Sequence, residues 1–170
     1  MNVRDIASAP VFVAHAAQPL AAAARDMRAH DVGALVVVAE GGTKVKQRPI
    51  GIVTDRDIVC GQLVKAADLH CLSVGDVMTP DPLTVAADAG LTEAIVAMST
   101  RGVRRAPVVD DAGELVGIIT VDDVLPFVAR ELGELAQGLD SQTHGGPALK
   151  LLEEELSSLF PRSTIREKRS

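Results

Sequence analysis

Two Thr-x-x-Asp pairs carry the side chains best placed to do chemistry: Thr54 with Asp57, and Thr120 with Asp123. Each closes a short apolar run opened by glycine, Gly51-Ile52-Val53 and Gly117-Ile118-Ile119, and the motifs stand 66 residues apart. A β-branched run favours a strand, and Thr-x-x-Asp ahead of Ile58 or Val124 signals a helix start. Two chemistries suit that junction. In a capping box the threonine hydroxyl accepts from an orphan N–H while the carboxylate reaches back. In a ligand site the free N–H groups and positive potential of the helix N-terminus suit phosphate. The threonine then donates to a phosphate oxygen, and the aspartate accepts from a ribose diol. A single copy favours the cap; two copies inside a longer repeat favour the ligand.

The elements that position these pairs are themselves repeated. A shift of 71 lays residues 3–38 on 74–109: Val3 meets Val74, Leu20 meets Leu91, Met27 meets Met98 and Val38 meets Val109. The register changes to 66 before the motif, because the first copy holds five more residues within Gly41–Arg48, a longer basic hairpin loop. Each copy starts with an extended segment, Pro10–Val13 or Pro82–Val85. A helix follows, with one apolar face made by Leu20, Ala23, Ala24 and Met27, or by Leu91, Ala94, Ile95 and Met98. Gly102 is a stop signal for the second of these. Next come a strand, Ala34–Ala39 or Ala106–Val109, and the motif strand, Ile50–Val53 or Val116–Ile119. The motif opens a second helix. The fold class expected is α/β (α+β), two β-α-β-β-α units that must pack together to bury their small sheets.

Composition narrows the function. With 47% hydrophobic residues, no Trp, no Tyr and three Phe, the core must be aliphatic. A net charge of −6 and the lack of aromatic platforms argue against nucleic acid as a partner. Cys60 and Cys71 fit no zinc or redox spacing, and His15, His30, His70 and His144 are scattered. Residues 6–24 lack charged side chains but are broken by Pro10, His15, Gln18 and Pro19, so they read as neither a signal peptide nor a membrane span. A soluble cytoplasmic protein with no membrane partner is expected.

After the second motif the repeat ends. Leu125, Val128, Leu132, Leu135 and Leu139 form an apolar stripe, in which Pro126 is expected to lie in a first helical turn. A link over 140–146 and a second stripe, Leu149, Leu152, Leu156 and Leu159, complete the chain. These faces predict a homodimer.

The duplicated Gly-h-h-Thr-x-x-Asp, together with Arg104-Arg105-Ala106-Pro107-Val108-Val109-Asp110 and Asp76-Val77-Met78-Thr79-Pro80, resembles the CBS domain. Two in tandem resemble a Bateman module, with repeats over 1–66 and 67–130 and a helical tail over 131–170. The resemblance implies pseudo-twofold packing and sensing rather than catalysis. It also implies binding of AMP, ADP, ATP or a related adenosine ligand in two crevices, read out through a dimer or an unknown regulated partner. By the same resemblance, Asp57 and Asp123 hold ribose, Thr54 and Thr120 hold ribose or phosphate, and Arg104 and Arg105 hold phosphate. The base lies near Phe12, Val32 and Gly33, or near Leu83 and Val103. The crevices are unlike: the first motif offers Arg56 where the second has Asp122, and the arginine pair is replaced by Gly33 and Ala34 in the first copy.

Two other classes compete. No cofactor is required by these residues, but magnesium is possible if Asp55, Asp57, Asp122 and Asp123 converge; the module would then be magnesium-responsive or purely structural. An enzyme is disfavoured, since no P-loop, nucleophile elbow or HExxH is present.

Overall fold

The computed structural model describes residues 1–41, 47–65 and 71–140, with side chains 64, 65, 139 and 140 left aside. The loop expected within Gly41–Arg48 lies mostly outside these residues, as do the link over 140–146 and the stripe from Leu149 to Leu159. Residues Met1–Val124 form one compact unit, and a second begins at Leu125.

In chain order the elements are β1 (Val13–His15), α1 (Leu20–Ala29), β2 (Ala34–Val38), β3 (Pro49–Thr54) and α2 (Asp55–Lys65), followed by β4 (Thr79–Pro80), β5 (Val85–Ala86), α3 (Leu91–Arg101), β6 (Arg105–Val109), β7 (Leu115–Thr120) and α4 (Val121–Asp140). The β-α-β-β-α order is thus seen twice, with β4 added. The extended segments form strands only at their ends, from Val13 and from Val85. The apolar face expected on α1 is the buried one, with Leu20, Ala23 and Met27 inside. Gly102 ends α3 in the left-handed region at φ 64, where glycine carries no Cβ penalty.

The two sheets are built alike. In the first, β1 runs parallel to β2, and β2 antiparallel to β3 with Leu35 opposite Val53. In the second, β5 runs parallel to β6, and β6 antiparallel to β7 with Ala106 opposite Ile119. Valine and isoleucine on both faces of the central strands give the aliphatic core: Leu35, Val36, Val37, Val38, Val53 and Ile119 are each almost or wholly buried.

The repeats exchange their leading segments. β4 belongs to the second repeat by sequence, yet it pairs with β3 of the first sheet, Thr79 opposite Ile52. Reciprocally, Ser8 from the start of the chain bridges to Ile118 in β7. The backbone bonds keep the same symmetry: Val74 N–H donates to the Gln18 carbonyl (2.9 Å) and Val3 N–H to the Ala89 carbonyl (3.0 Å). Leu72 and Val74 accordingly sit in the core of the first repeat beside Leu20, Val37 and Val53. This reciprocal exchange is the pseudo-twofold relation between the repeats.

The exchange also explains the motif glycines. A Cβ on Gly51 would lie 2.7 Å from the Met78 sulfur and 3.1 Å from the Thr79 carbonyl oxygen; one on Gly117 would lie 3.1 Å from the Ala7 Cβ. Each glycine is the point where the other repeat's leading segment crosses.

One sequence expectation needs correction. Pro126 lies inside α4, whose first residue is Val121, and so falls past the first turn. It removes one backbone donor from the helix, which ordinarily costs about 3 kcal/mol.

Candidate functional site

Both Thr-x-x-Asp pairs form complete capping boxes. Thr54 N–H and hydroxyl donate to the same Asp57 oxygen, Oδ2, at 2.9 and 2.7 Å, and Asp57 N–H donates to Thr54 Oγ1 at 3.2 Å. Thr120 and Asp123 repeat this with the same three distances. The cap does not consume the aspartate. Asp57 Oδ1 accepts no bond among the described residues, and the side chain is half-buried beside a cavity. Asp123 Oδ1 is different, since the Ser8 hydroxyl donates to it at 3.4 Å. The threonine hydroxyl protons are aimed at the carboxylates, so in this state each threonine can accept but not donate elsewhere.

The cavity, of about 600 Å³, lies between the first motif and the second repeat. From the first motif it receives Thr54, Arg56 and Asp57; from the second repeat it receives Leu83, Val103, Arg104 and Arg105. The fold accounts for this company. β3 ends at the motif, and β4 beside it brings the chain directly to Pro82 and Leu83. Across the cavity, α3 ends at Arg101 and the turn through Gly102 leads to Arg104 and into β6. The two sides therefore come from different repeats, and neither copy makes the cavity alone.

Seven sequence-predicted site residues are thus brought together, and five are not among those lining this cavity. Thr120 and Asp123 start α4, and Arg105 stands opposite Thr120 in the β6–β7 ladder. Val32 and Gly33 line a second cavity of about 400 Å³ with Arg28, Asp31 and Asp55. Phe12 packs against the core of the first repeat and stacks on His30, ring centroids 4.0 Å apart. The arginine pair consequently shares a cavity with Asp57 rather than Asp123. Sequence reasoning missed Arg101, Thr79 and Asp81, which also line the cavity. Arg101 had a local signal, a basic residue in the last turn of a helix three residues before Arg104. Thr79 and Asp81 had none, since their position follows from the exchange.

The four acids considered for magnesium do not converge: no group of three or more His, Cys, Asp or Glu among the described residues could hold a metal ion. Each acid is used close to home. Asp57 and Asp123 cap their helices, Asp55 Oδ1 accepts the Arg56 N–H at 2.7 Å, and Asp122 faces Arg104 at 3.7 Å. Nor is any helix of the described residues long and apolar enough to cross a membrane.

Comparison with known proteins agrees with this architecture. The sequence pattern of the CBS domain matches residues 3–60 and 74–130. Hypoxic response protein 1 of Mycobacterium tuberculosis is 36% identical over 135 residues, which cover 79% of this chain and 87% of that protein. The chain spans between 59% and 87% of the lengths of the first five curated relatives it matches. Among solved structures, a CBS domain pair in complex with 5′-methylthioadenosine and S-adenosyl-L-methionine aligns with TM-score 0.64 and 28% identity, covering 75% of this chain and 99% of that one. CBSX2 in complex with AMP aligns with TM-score 0.62 and 26% identity, covering 76% and 96%.

Proposed function

The chain belongs to the CBS domain family, and from that premise we propose that it is a regulatory module, not a catalyst, that binds an adenosine-containing ligand between its two repeats. The observation that carries this is the cavity in which Asp57, with one carboxylate oxygen open, faces Arg104 and Arg105 across Leu83 and Val103. Asp57 Oδ1 accepts from a ribose hydroxyl. The Thr54 cap holds that carboxylate in place. Arg56, Arg104 and Arg105 pair with phosphate, for which the planar guanidinium fork is suited. The base lies against the apolar wall of Leu83 and Val103. Thr120 and Asp123, with Phe12, Val32 and Gly33, are the residues that correspond to these in the other copy.

The adenosine ligands of the two solved CBS pairs support this reading. Ligand state is transmitted through a homodimer or a regulated partner, for which the exposed Leu132 and Leu135 of α4 supply apolar surface. Thermal-shift screening of the full chain against AMP, ADP, ATP and S-adenosylmethionine tests the proposal, since a ligand that binds only the folded state raises the melting temperature. No shift with any of them at millimolar concentration would remove it.

A further inference from the structure

The two motifs occupy pseudo-equivalent places, yet the side chains around them carry opposite charge. The repeat shift of 71 sets Arg101 on His30, Arg104 on Gly33 and Arg105 on Ala34, and the shift of 66 sets Arg56 on Asp122. Four guanidinium groups around the first crevice thus correspond to an imidazole, two small residues and an acid around the second.

The cationic side is only partly balanced within the chain. Arg56, Arg101 and Arg105 have no ion-pair partner among the described residues. Arg104 has one, Asp122 at 3.7 Å, with both side chains largely in solvent. Asp55, Asp57 and Asp81 also line the cavity and keep their charge, with Asp57 Oδ2 held by its own cap and Asp55 Oδ1 by the Arg56 N–H. Four guanidinium groups against three carboxylates leave the lining of this cavity, about 600 Å³, positive by one charge, which favours an anion among them.

The second crevice is turned the other way. The Ser8 hydroxyl occupies Asp123 Oδ1, the oxygen whose counterpart on Asp57 is open. The His30 ring rests on Phe12, the counterpart of Leu83. Asp122 stands where an anionic ligand would meet Arg56 in the first crevice.

We infer that each chain binds one nucleoside polyphosphate, in the first crevice only, and that affinity is set by the number of phosphates. This rests on the adenosine-ligand reading and narrows it, away from neutral or sulfonium adenosyl compounds. Isothermal titration of the full chain with adenosine, AMP, ATP and S-adenosylmethionine tests it. One site per chain is expected, with affinity rising about tenfold from adenosine to AMP and again to ATP, as one added charge-assisted contact each would give. S-adenosylmethionine should bind no better than adenosine, and inorganic triphosphate should displace ATP. Arg101→Ala and Arg105→Ala, both checked by thermal melting, should each shrink the ratio of ATP to adenosine affinity by about tenfold or more. Two ATP per chain, or S-adenosylmethionine binding as tightly as ATP, overturns the inference and leaves the adenosine-ligand reading standing. Binding of none of the four overturns both.

Discussion

The Arg104 guanidinium stands 3.7 Å from the Asp122 carboxylate, linking the basic wall of the first crevice to the first turn of α4. Asp122 therefore competes with any ligand phosphate for Arg104. Both side chains are about four-fifths exposed, so the pair itself is worth about 0–1 kcal/mol. Asp122→Asn should release Arg104 and tighten ATP by up to about fivefold, the same free energy read as affinity. Titration at low and high salt checks this: the gain should fade as ionic strength rises. Weaker binding in the variant would mean that Asp122 helps the ligand rather than opposing it.

Asp57 and Asp123 make the same cap but differ in what their second oxygen does. Alanine at either position should lower stability by about 0.5–2 kcal/mol, as loss of a capping side chain does. Only Asp57→Ala should also lose nucleotide affinity, by about 1.5–3 kcal/mol, typical of a hydrogen bond to a charged group. Deoxyadenosine ligands should feel that loss less than ribose ones. Urea unfolding read beside calorimetric titration separates the two effects, and equal loss of affinity in both variants would place a ligand in each crevice.

The motif glycines make a stability prediction independent of ligand. Gly51→Ala must displace Met78 and press on the Thr79 carbonyl, whereas the one tight contact of Gly117→Ala is the Ala7 methyl group at 3.1 Å, with the Ser8 carbonyl oxygen at 3.5 Å. Overpacking of this kind costs about 1–3 kcal/mol, and Gly51→Ala should lie at the upper end. Chemical denaturation of both variants should rank them in that order.

Association should run through α4. Leu132 and Leu135 are 59% and 65% exposed on a helix otherwise rich in charge. Light scattering is expected to give a dimer mass at micromolar concentration, and Leu132→Glu combined with Leu135→Glu to give a monomer. A monomer in the parent chain would show that these side chains serve another purpose.

Much of this architecture was legible in the residue order. Strand and helix periods are local properties, so Leu20, Ala23 and Met27 announced a helix face and Gly-h-h-Thr a strand running into a helix. The duplication was legible because like residues recur at fixed distance. The composition of the cavity was not. Reading each motif with its own upstream residues puts Arg104 and Arg105 at the second motif's end of the sheet, where Arg105 does stand opposite Thr120 and Arg104 meets Asp122, but the cavity also joins them to Asp57. That pairing depends on where the leading segments cross, a choice made by contacts far apart in the chain. Thr79 and Ser8 carry no mark of the sheet they join. Pro126 misled because α4 runs on through it although it removes one backbone donor, which a local rule does not foresee.

The exchange of leading segments has a consequence for the order in which the protein can be made. Ile52 waits only 27 residues of synthesis for Thr79, its neighbour in the sheet, while Ser8 leaves the ribosome 110 residues ahead of Ile118. Bringing distant segments together is entropically costlier and generally slower than closing a short loop. The first sheet can therefore close during translation, whereas the segment around Ser8 must wait unpaired until β7, the strand it joins, has emerged. Until then that N-terminal segment has no strand to join, which leaves it open to mispairing in a nascent chain. Pulse-labelled hydrogen exchange during refolding should show Val53 protected before Ile119.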